Sequence, residues 1–550
     1  MGIERPKRWA AALVGLAVAA VGLGTAELIA GLRRTWRSPV YDVGDRVIDR
    51  VPRPLKELAI DWFGTNDKVA LLAGIGVALT LYSAAVGVAA LRWRLAAGVV
   101  GVAVFGGLGA WAAVSARTDP PLDVAVPSLV GAVVAIMALT FIVRAATAAP
   151  SAVEPVEWLD PRDASSPEPH IDGDRDTDPA FDGAVELDPD AAGAAAVVDR
   201  RRALALSGGA AALAVAAFAL GRRLATRFDV AAARAGTVLP RALRPLPPAD
   251  PATSAPVEGV SPFFTPNEAF YRIDINLTVP RIAADTWRLR VHGLVEQPFE
   301  LSYQQLVERE LIERDITLTC VSNEVGGRLL GTARWLGVRL DDLLAEAGIQ
   351  ADADQIVGRS TDGYTCGFPV AALDGRDAMV AIAMNGAPLP LEHGYPARLI
   401  VPGLYGYVSA TKWLAEIELS RFDRLDQYWV DRGWDREAPI KMSSRIDTPK
   451  GLETVPAGQV ALAGVAWAQP VGVSAVQLRI DDADWVDATL ADELSADTWR
   501  QWSFAWDATP GRHTITVRAI DANGAIQVEP RSEPFPSGST GWHQIVVLVG

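Results

Sequence analysis

The sequence predicts a multi-domain protein with an N-terminal α-helical membrane region, a central α+β domain and a C-terminal immunoglobulin-like β-sandwich. Three observations predict this fold class. Long apolar runs are confined to residues 1–148 and 203–220. Between residues 263 and 435, segments with strand periodicity mix with segments of helical periodicity. From residue 436 to residue 550, β-rich runs recur about every 8–15 residues, separated by Gly, Asp and Pro.

Five apolar runs are long enough to cross a bilayer, which takes about 20 helical residues. They are roughly Trp9–Ala30, Val69–Leu91, Leu95–Val114, Val124–Val143 and Ala203–Leu220. The basic residues before the first run are also typical of a signal peptide, but its apolar stretch is too long for one. Four runs crowd into residues 1–148 with little polar sequence to cover them, which favours membrane spans over buried core helices. We therefore expect four transmembrane helices in residues 1–148 and a fifth in residues 200–222.

Two segments have the composition of linkers. Residues 149–199 lack hydrophobic periodicity and are rich in Asp, Pro, Ala and Gly, which is typical of a disordered segment. Residues 223–262 form a second, Pro-rich linker. Most of the net charge of −15 lies in the acidic linker, so the charge indicates no nucleic-acid partner for the folded domains.

The start of the fifth run bears on orientation. Arg200, Arg201 and Arg202 stand directly before it, as in a twin-arginine export signal or a plain positive-inside anchor. Both interpretations place the start of this helix in the cytoplasm and residues 223–550 outside. The first loop, which would then also lie outside, is rich in arginine, and this conflicts with the positive-inside rule. We expect a multi-pass protein of the cell membrane with its water-soluble domains on the extracytoplasmic side.

The central domain contains the first candidate for chemistry. Alternation predicts strands at Ile273–Val279 and Trp287–Val291, and helical spacing predicts helices at Ser302–Glu310 and Leu340–Ala347. Residues 316–319 alternate as a strand and deliver Cys320 into a turn-rich loop, where functional groups are often found. The chain has only two cysteines, which excludes a disulfide framework and a CxxC metal site. On its own, Cys320 could equally be a structural residue.

Several short motifs around Cys320 and downstream of it occur in a defined order. They are Thr317–Cys320 with Asn323, Ala333–Val338, Met384–Pro390, His393–Arg398, Val401–Gly403 and Lys412–Leu414. Together they resemble the molybdenum-binding segments of the sulfite oxidase family, over about residues 261–549. The resemblance implies an α+β molybdopterin-binding domain of sulfite oxidase type at residues 263–435 and a dimerisation domain at residues 436–550. It also implies a mononuclear molybdenum held by one pterin dithiolene and one cysteine thiolate.

The resemblance assigns roles to particular residues. Cys320 would be the metal ligand and a catalytic residue, and a thiolate is a soft ligand suited to a redox metal. His393, Arg398 and Lys412 would bind the cofactor phosphate, although each alone could be an ordinary surface residue. The other cofactor-binding candidates are Tyr271, Arg272, Asn323 and Asp362. Arg272 is also a candidate catalytic residue, and Asp362 is a weaker cofactor contact.

Two departures from the family pattern bear on the substrate. Glu324 and Val325 stand where sulfite oxidases carry an arginine, and Trp434 aligns with their active-site tyrosine. Losing these donors weakens the case for a small dianion such as sulfite. We expect oxygen-atom transfer with sulfite, a sulfoxide or another small oxo compound. Cys366 has the surroundings of a buried strand and is expected to be a core residue.

The remaining predictions concern partners. The five apolar runs contain no His and no Cys, so we expect no haem in the helical bundle. Electrons would then pass to or from a separate partner, a cytochrome or a quinone. The C-terminal domain would form a homodimer, and His543 would be structural. The alternative function is an inactive relative of the family that serves as a membrane-tethered binding module.

Overall fold

The structure, a computed structural model, describes residues 7–33, 35–51, 62, 67–115, 121–147, 200–226 and 230–550. The described residues divide into a helical N-terminal unit and a larger unit that contains Thr226–Gly550. The acidic linker that we expect at residues 149–199 lies outside the described residues.

The helical unit contains all five apolar runs as helices. The described helices of the N-terminal region are α1 (Arg8–Ala30), α2 (Pro39–Arg50), α3 (Asp67–Arg92), α4 (Leu95–Ser115), α5 (Val126–Thr147) and α6 (Arg200–Thr226). Helix α2 is divided, since its residues from Asp45 onward belong to the larger unit. Five of them, all but α2, are long and apolar enough to cross a membrane. The sequence analysis missed α2, a short helix whose apolar and polar residues fall on different faces.

Small residues let these helices pack closely. Gly15 of α1 lies against Gly87 of α3, and a Cβ on Gly15 would come within 2.9 Å of the Cα of Gly87. Where no water separates helices, packing of this kind is a main source of their association. The many Gly and Ala residues of the apolar runs therefore allow close helix–helix contact within this unit.

The central α+β domain contains two five-stranded sheets. One has the order β2-β1-β10-β5-β6, and the other has the order β3-β4-β7-β8 with β9 also paired to β7. The strands are β1 (Arg288–Gly293), β2 (Phe299–Ser302), β3 (Leu311–Thr319), β4 (Leu330–Arg339), β5 (Gln355–Ser360), β6 (Thr365–Pro369), β7 (Met379–Met384), β8 (Ala387–Pro388), β9 (Arg398–Ile400) and β10 (Leu414–Ser420). The α-helices of the larger unit are α7 (Ala231–Ala235), α8 (Tyr303–Val307), α9 (Leu340–Ala347) and α10 (Gly406–Ser409).

The sequence periodicities explain most of these elements. Helix α9 buries Leu340, Leu343, Leu344 and Ala347, the i, i+3, i+4, i+7 pattern of an amphipathic helix. Strand β1 alternates buried and exposed residues over its first four positions. The strand expected at Ile273–Val279 is wrong, since residues 271–286 contain no strand. The polar residues Asp274 and Asn276 gave this segment its alternating pattern, but their side chains are buried. Asp274 pairs with Arg272 and Lys412, and Asn276 donates to Asp362.

The C-terminal domain is a β-sandwich, as expected. One sheet has the order β11-β13-β17-β16 and the other β12-β19-β18-β14-β15, with the hydrophobic core between them. Its strands are β11 (Ser443–Thr448), β12 (Thr454–Val455), β13 (Gly458–Trp467), β14 (Val473–Ile480), β15 (Val486–Asp487), β16 (Thr489–Leu490), β17 (Arg500–Ala508), β18 (Gly511–Asp521) and β19 (His543–Val549). The clearest β-rich runs of the sequence, at residues 460–467, 476–480, 499–506, 513–520 and 542–549, correspond to β13, β14, β17, β18 and β19.

The outer edge of β3, the strand that leads to Cys320, is covered by other parts of the chain. The Pro-rich segment that we expected as a linker lies against this edge, and Leu243 N donates to Leu311 O at 3.0 Å. The C-terminal domain covers the far end of β3, where Thr317 N donates to Asp497 O at 2.9 Å. Backbone groups of an edge strand need such partners when they are buried. The described residues of the linker therefore form part of the fold.

Candidate functional site

Cys320 lies in a cavity between the ends of several strands. It directly follows β3, its side chain is buried, and both cysteines are free. The candidates Tyr271, Cys320, Asp362, His393, Arg398 and Lys412 all line this cavity. The structure thus brings together six of the eight residues that the sequence motifs single out.

His393, Arg398 and Lys412, which we call the phosphate cradle, are cationic or basic groups in a buried setting. Burial lowers the pKa of Arg398 to about 10 and that of Lys412 to about 8, so both side chains remain mainly protonated near neutral pH. Burial, together with Arg398, lowers the pKa of His393 to about 4, and this imidazole is therefore neutral. Its Nε2 donates to the carbonyl of Asn267 at 3.1 Å. Positive charge is thus concentrated on two of the three residues.

The charge of the cradle is only partly balanced by acidic groups. Lys412 Nζ lies 3.1 Å from Asp274 Oδ2, and Arg272 Nε lies 2.6 Å from the same carboxylate oxygen. Arg398 forms no ion pair with any described residue. Its Nη1 donates to His393 O at 3.2 Å, while its buried Nε has no hydrogen-bond partner in the described structure. A buried guanidinium with an unused donor is a strong binding group for a phosphate.

Asp362 and Tyr364 line the cavity near the β5–β6 turn, and Asn276 supports them from behind. Asn276 Nδ2 donates to Asp362 Oδ2, and Asp362 Oδ1 accepts from Tyr364 N at 2.9 Å. The Tyr364 hydroxyl donates to Tyr407 O at 2.7 Å. These bonds fix Asp362 and the Tyr364 ring against the cavity. The sequence analysis missed Asn276, because it assigned that residue to a strand.

Two of the expected site residues lie elsewhere. Arg272 lines a neighbouring cavity with Asn267, Glu392 and His393, where it is paired with Asp274, and it does not line the cavity of Cys320. Asn323 uses its side chain to accept from Leu329 N at 2.8 Å. That bond closes the loop after Cys320, so Asn323 shapes the loop instead of lining the cavity.

The C-terminal domain clamps residues 320–327, the Cys loop. Ser539 Oγ donates to Asn323 O at 2.7 Å, and Arg445 Nη1 donates to Gly327 O at 2.8 Å. The ring of His543 lies so close to Gly326 that a Cβ there would be 2.3 Å from its Nε2. His543 Nδ1 accepts from Ile446 N at 3.0 Å. These contacts attach the loop that carries Cys320 to the β-sandwich.

These residues fit the cofactor that the sequence resemblance implies. Cys320 offers a soft sulfur ligand, and burial raises the pKa of its thiol, so the thiol stays protonated until a metal displaces the proton. Arg398 and Lys412 offer charge-assisted bonds to a phosphate, and the Nε of Arg398 lacks any other partner. Asp362, which Asn276 orients, offers its carboxylate oxygens to a pterin ring. The described residues that line the cavity therefore supply a sulfur ligand, two cations and a polar acceptor for the different parts of the group.

The comparisons with known proteins agree with this geometry. The family model of the oxidoreductase molybdopterin binding domain matches residues 276–429, and a model of a bacterial Ig domain matches residues 443–517. Human mitochondrial sulfite oxidase is 30% identical over 342 residues, which covers 52% of this chain and 62% of that protein. The chain thus spans less than two thirds of the length of that relative.

Two further relatives match the central domain. The uncharacterized oxidoreductase YuiH of Bacillus subtilis is 32% identical over 148 residues, which covers 27% of this chain and 72% of that protein. Barley nitrate reductase is 30% identical over 182 residues, which covers 28% of this chain and 20% of that enzyme. The motifs, the fold and these matches coincide on the same central domain. The chain belongs to the sulfite oxidase-like family of molybdopterin-dependent oxidoreductases.

Proposed function

We propose that this chain is a membrane-anchored oxidoreductase that transfers an oxygen atom between water and a small oxo compound. In the overall reaction, an acceptor X and one water give XO, two protons and two electrons, and the reverse reaction reduces XO. The chemistry would take place at a molybdenum–molybdopterin cofactor with Cys320 as the protein ligand. The observation that carries this proposal is the buried thiol that shares one cavity with an incompletely neutralised phosphate cradle.

Each residue of the cavity has a task in this proposal. When bound, the cofactor supplies a two-electron redox couple with an exchangeable oxo group. Arg398 and Lys412 bind its phosphate and orient it. Neutral His393 already donates its Nε2–H to Asn267 O, so its Nδ1 would offer the cofactor a hydrogen-bond acceptor. Burial raises the pKa of Tyr271 far above its ordinary value, so its hydroxyl keeps its proton beside Cys320. The buried side chains around Cys320 would keep bulk water away from its sulfur.

We also propose an arrangement in the cell. The five apolar helices anchor the chain in the cell membrane, and the water-soluble domains lie on the extracytoplasmic side. Arg200–Arg202 would serve export of a folded domain that has already received its cofactor. A separate cytochrome or quinone would exchange electrons with the site, since the apolar runs contain no His and no Cys to bind haem. The C-terminal domain would form the homodimer.

The direct test is molybdenum analysis of the purified full-length protein. We expect about one molybdenum and one pterin per chain in the wild type. Cys320→Ser should lose activity and most of the metal while it remains folded, because serine lacks a soft sulfur donor.

Cys366→Ala is the matched control. Cys366 is fully buried and its sulfur lies 2.7 Å from Thr411 Oγ1, but we place it in the core of the domain and not at the metal. This variant should retain its molybdenum. If Cys320→Ser turned over at the wild-type rate, the assignment of the metal ligand would be wrong.

A further inference from the structure

An aromatic surface borders the cavity of Cys320. Trp429 lines the cavity, and the ring of Trp434 lies 6.3 Å from that of Trp429 and 5.8 Å from that of Tyr407, another lining residue. Phe535 of the C-terminal domain packs edge-on against Trp434 at 5.3 Å. Trp429, Trp434 and Phe535, which we call the aromatic group, are all half-buried. Each of the three residues is therefore partly exposed to solvent.

The aromatic group is fixed in place by backbone bonds. Trp434 N donates to Trp429 O at 3.1 Å, which closes the turn between the two rings. Asp435 N donates to Pro536 O at 3.2 Å and ties this turn to the segment that carries Phe535. The rings are thus held by two domains before any ligand arrives. A surface that is ordered in advance loses little entropy when it binds a ligand.

The cationic residues that line the cavity are already assigned to the cofactor. Among the described residues that line the cavity, the cationic ones are Arg398 and Lys412, and both belong to the phosphate cradle. Val325, which stands where sulfite oxidases carry an arginine, is buried and apolar. A dianion would gain no charge-assisted bond from either the aromatic group or Val325, and it would lose its hydration there.

We propose that the aromatic group is a subsite for the apolar, ring-sized substituent of an uncharged oxo substrate, such as an aryl sulfoxide. The proposal rests on the proposed function and names the class of its substrate. The oxygen would face the metal end of the cavity, and the substituent would lie against Trp434 and Phe535. An aromatic ring removed from water gains both apolar burial and ring–ring contact. Sulfite, which has no such substituent, should be a poor substrate.

The test is steady-state kinetics of the cofactor-loaded full chain with dimethyl sulfoxide and methyl phenyl sulfoxide. The sulfoxide takes up two protons and two electrons, and gives the sulfide and water. A reduced viologen dye supplies the electrons. We expect KM for methyl phenyl sulfoxide to be about tenfold lower than for dimethyl sulfoxide. Trp434→Ala and Phe535→Ala should each raise the KM for methyl phenyl sulfoxide by about tenfold. Trp434→Phe keeps an aromatic ring at this position, so its KM should stay close to that of the wild type.

Controls separate the subsite from general damage. Phe422→Ala removes a half-buried ring of the same domain that stacks on Arg436 and should leave both KM values unchanged. Molybdenum content should be equal in all variants. Binding of methyl phenyl sulfone can be measured without any reductant, through the quenching of tryptophan fluorescence. The Kd for this sulfone should rise by about tenfold in Phe535→Ala.

The possible failures are distinguishable. If the loaded protein turned over neither sulfoxide nor sulfite, the proposed function would fail, while the fluorescence titration would still test the subsite. If both sulfoxides were reduced with equal KM values and Trp434→Ala changed neither, the subsite would be wrong and the function would stand. Efficient sulfite oxidation, with kcat/KM near about 10⁶ M⁻¹s⁻¹, would also overturn the proposed substrate class.

Discussion

At the scale of single residues, the site buries more positive charge than its acidic side chains neutralise. Asp274 is shared by Lys412 and Arg272, while Arg398 has no acidic partner among the described residues. Burying an unpaired guanidinium costs several kcal/mol, in the order of magnitude known for buried ions. A protein keeps such a group when a ligand compensates it. The cradle should therefore make the folded state less stable without the cofactor and more stable with it.

Replacing Arg398 with Met tests whether this residue lowers the stability of the cofactor-free protein and strengthens cofactor binding. Arg398→Met keeps the approximate size of the side chain and removes the charge. Loss of a charge-assisted bond of about 1.5–3 kcal/mol should weaken cofactor binding by about 10- to 100-fold. The measurement is the molybdenum and pterin content after dialysis, and Lys412→Met should show the same direction of change.

The cofactor-free protein supplies the second half of this test. There, Arg398→Met should melt at a higher temperature than the wild type, because an uncompensated buried charge is gone. Arg309→Met, which removes an exposed partner of Glu346, should change neither cofactor content nor the melting temperature by much. Full cofactor retention in both cradle variants would contradict the assigned role.

At the scale of elements, the site depends on a loop that belongs to one domain and is held by another. The Cys loop leaves β3 and meets Ser539, Arg445 and His543 of the β-sandwich. Burial, with Arg445 nearby, lowers the pKa of His543 to about 4, so its ring packs on the loop as a neutral group. The prediction that His543 is structural agrees with these contacts.

Ser539→Ala is expected to loosen the Cys loop without touching the substrate. It removes one hydrogen bond to a loop carbonyl, worth about 1 kcal/mol. We expect kcat to fall severalfold while KM changes little, and the electron paramagnetic resonance spectrum of the half-reduced centre to become heterogeneous. Ser474→Ala removes a comparable serine-to-carbonyl bond within the same domain, far along the chain from this loop, and should leave the spectrum unchanged. Identical spectra in both variants would show that Ser539 does not position the loop.

Sequence patterns predicted helix α9 correctly because it buries a single face, and strand β1 because buried and exposed residues alternate at its start. Strands β3, β13 and β18 bury consecutive residues, and their runs of apolar and β-branched residues predicted them. Residues Ile273–Val279 were wrongly predicted as a strand because the polar side chains of Asp274 and Asn276 are buried around the site. Phe535 could not be found from the sequence, since its contact with Trp434 joins positions about 100 residues apart in two domains.

At the scale of the whole molecule, the described residues form two compact units, and we propose that the larger one lies outside the cell membrane. A specific protease site inserted at the exposed turn Asn523–Gly524 tests this topology, since a side chain at Gly524 would meet open space. Added protease should cut there in intact spheroplasts. The same site placed within residues 149–199 should be cut only after lysis. The opposite pattern would reverse the proposed orientation.

The clamp on the Cys loop also sets an order of events during synthesis. Ser539 lies 216 positions after Asn323, the residue whose carbonyl it binds. At a translation rate of about 5–20 residues per second, roughly 10–40 seconds separate the emergence of the two residues. During that interval the Cys loop lacks the hydrogen bonds that Ser539 and Arg445 supply from the β-sandwich. The loop that carries Cys320 therefore gains its last contacts only when the final domain is complete.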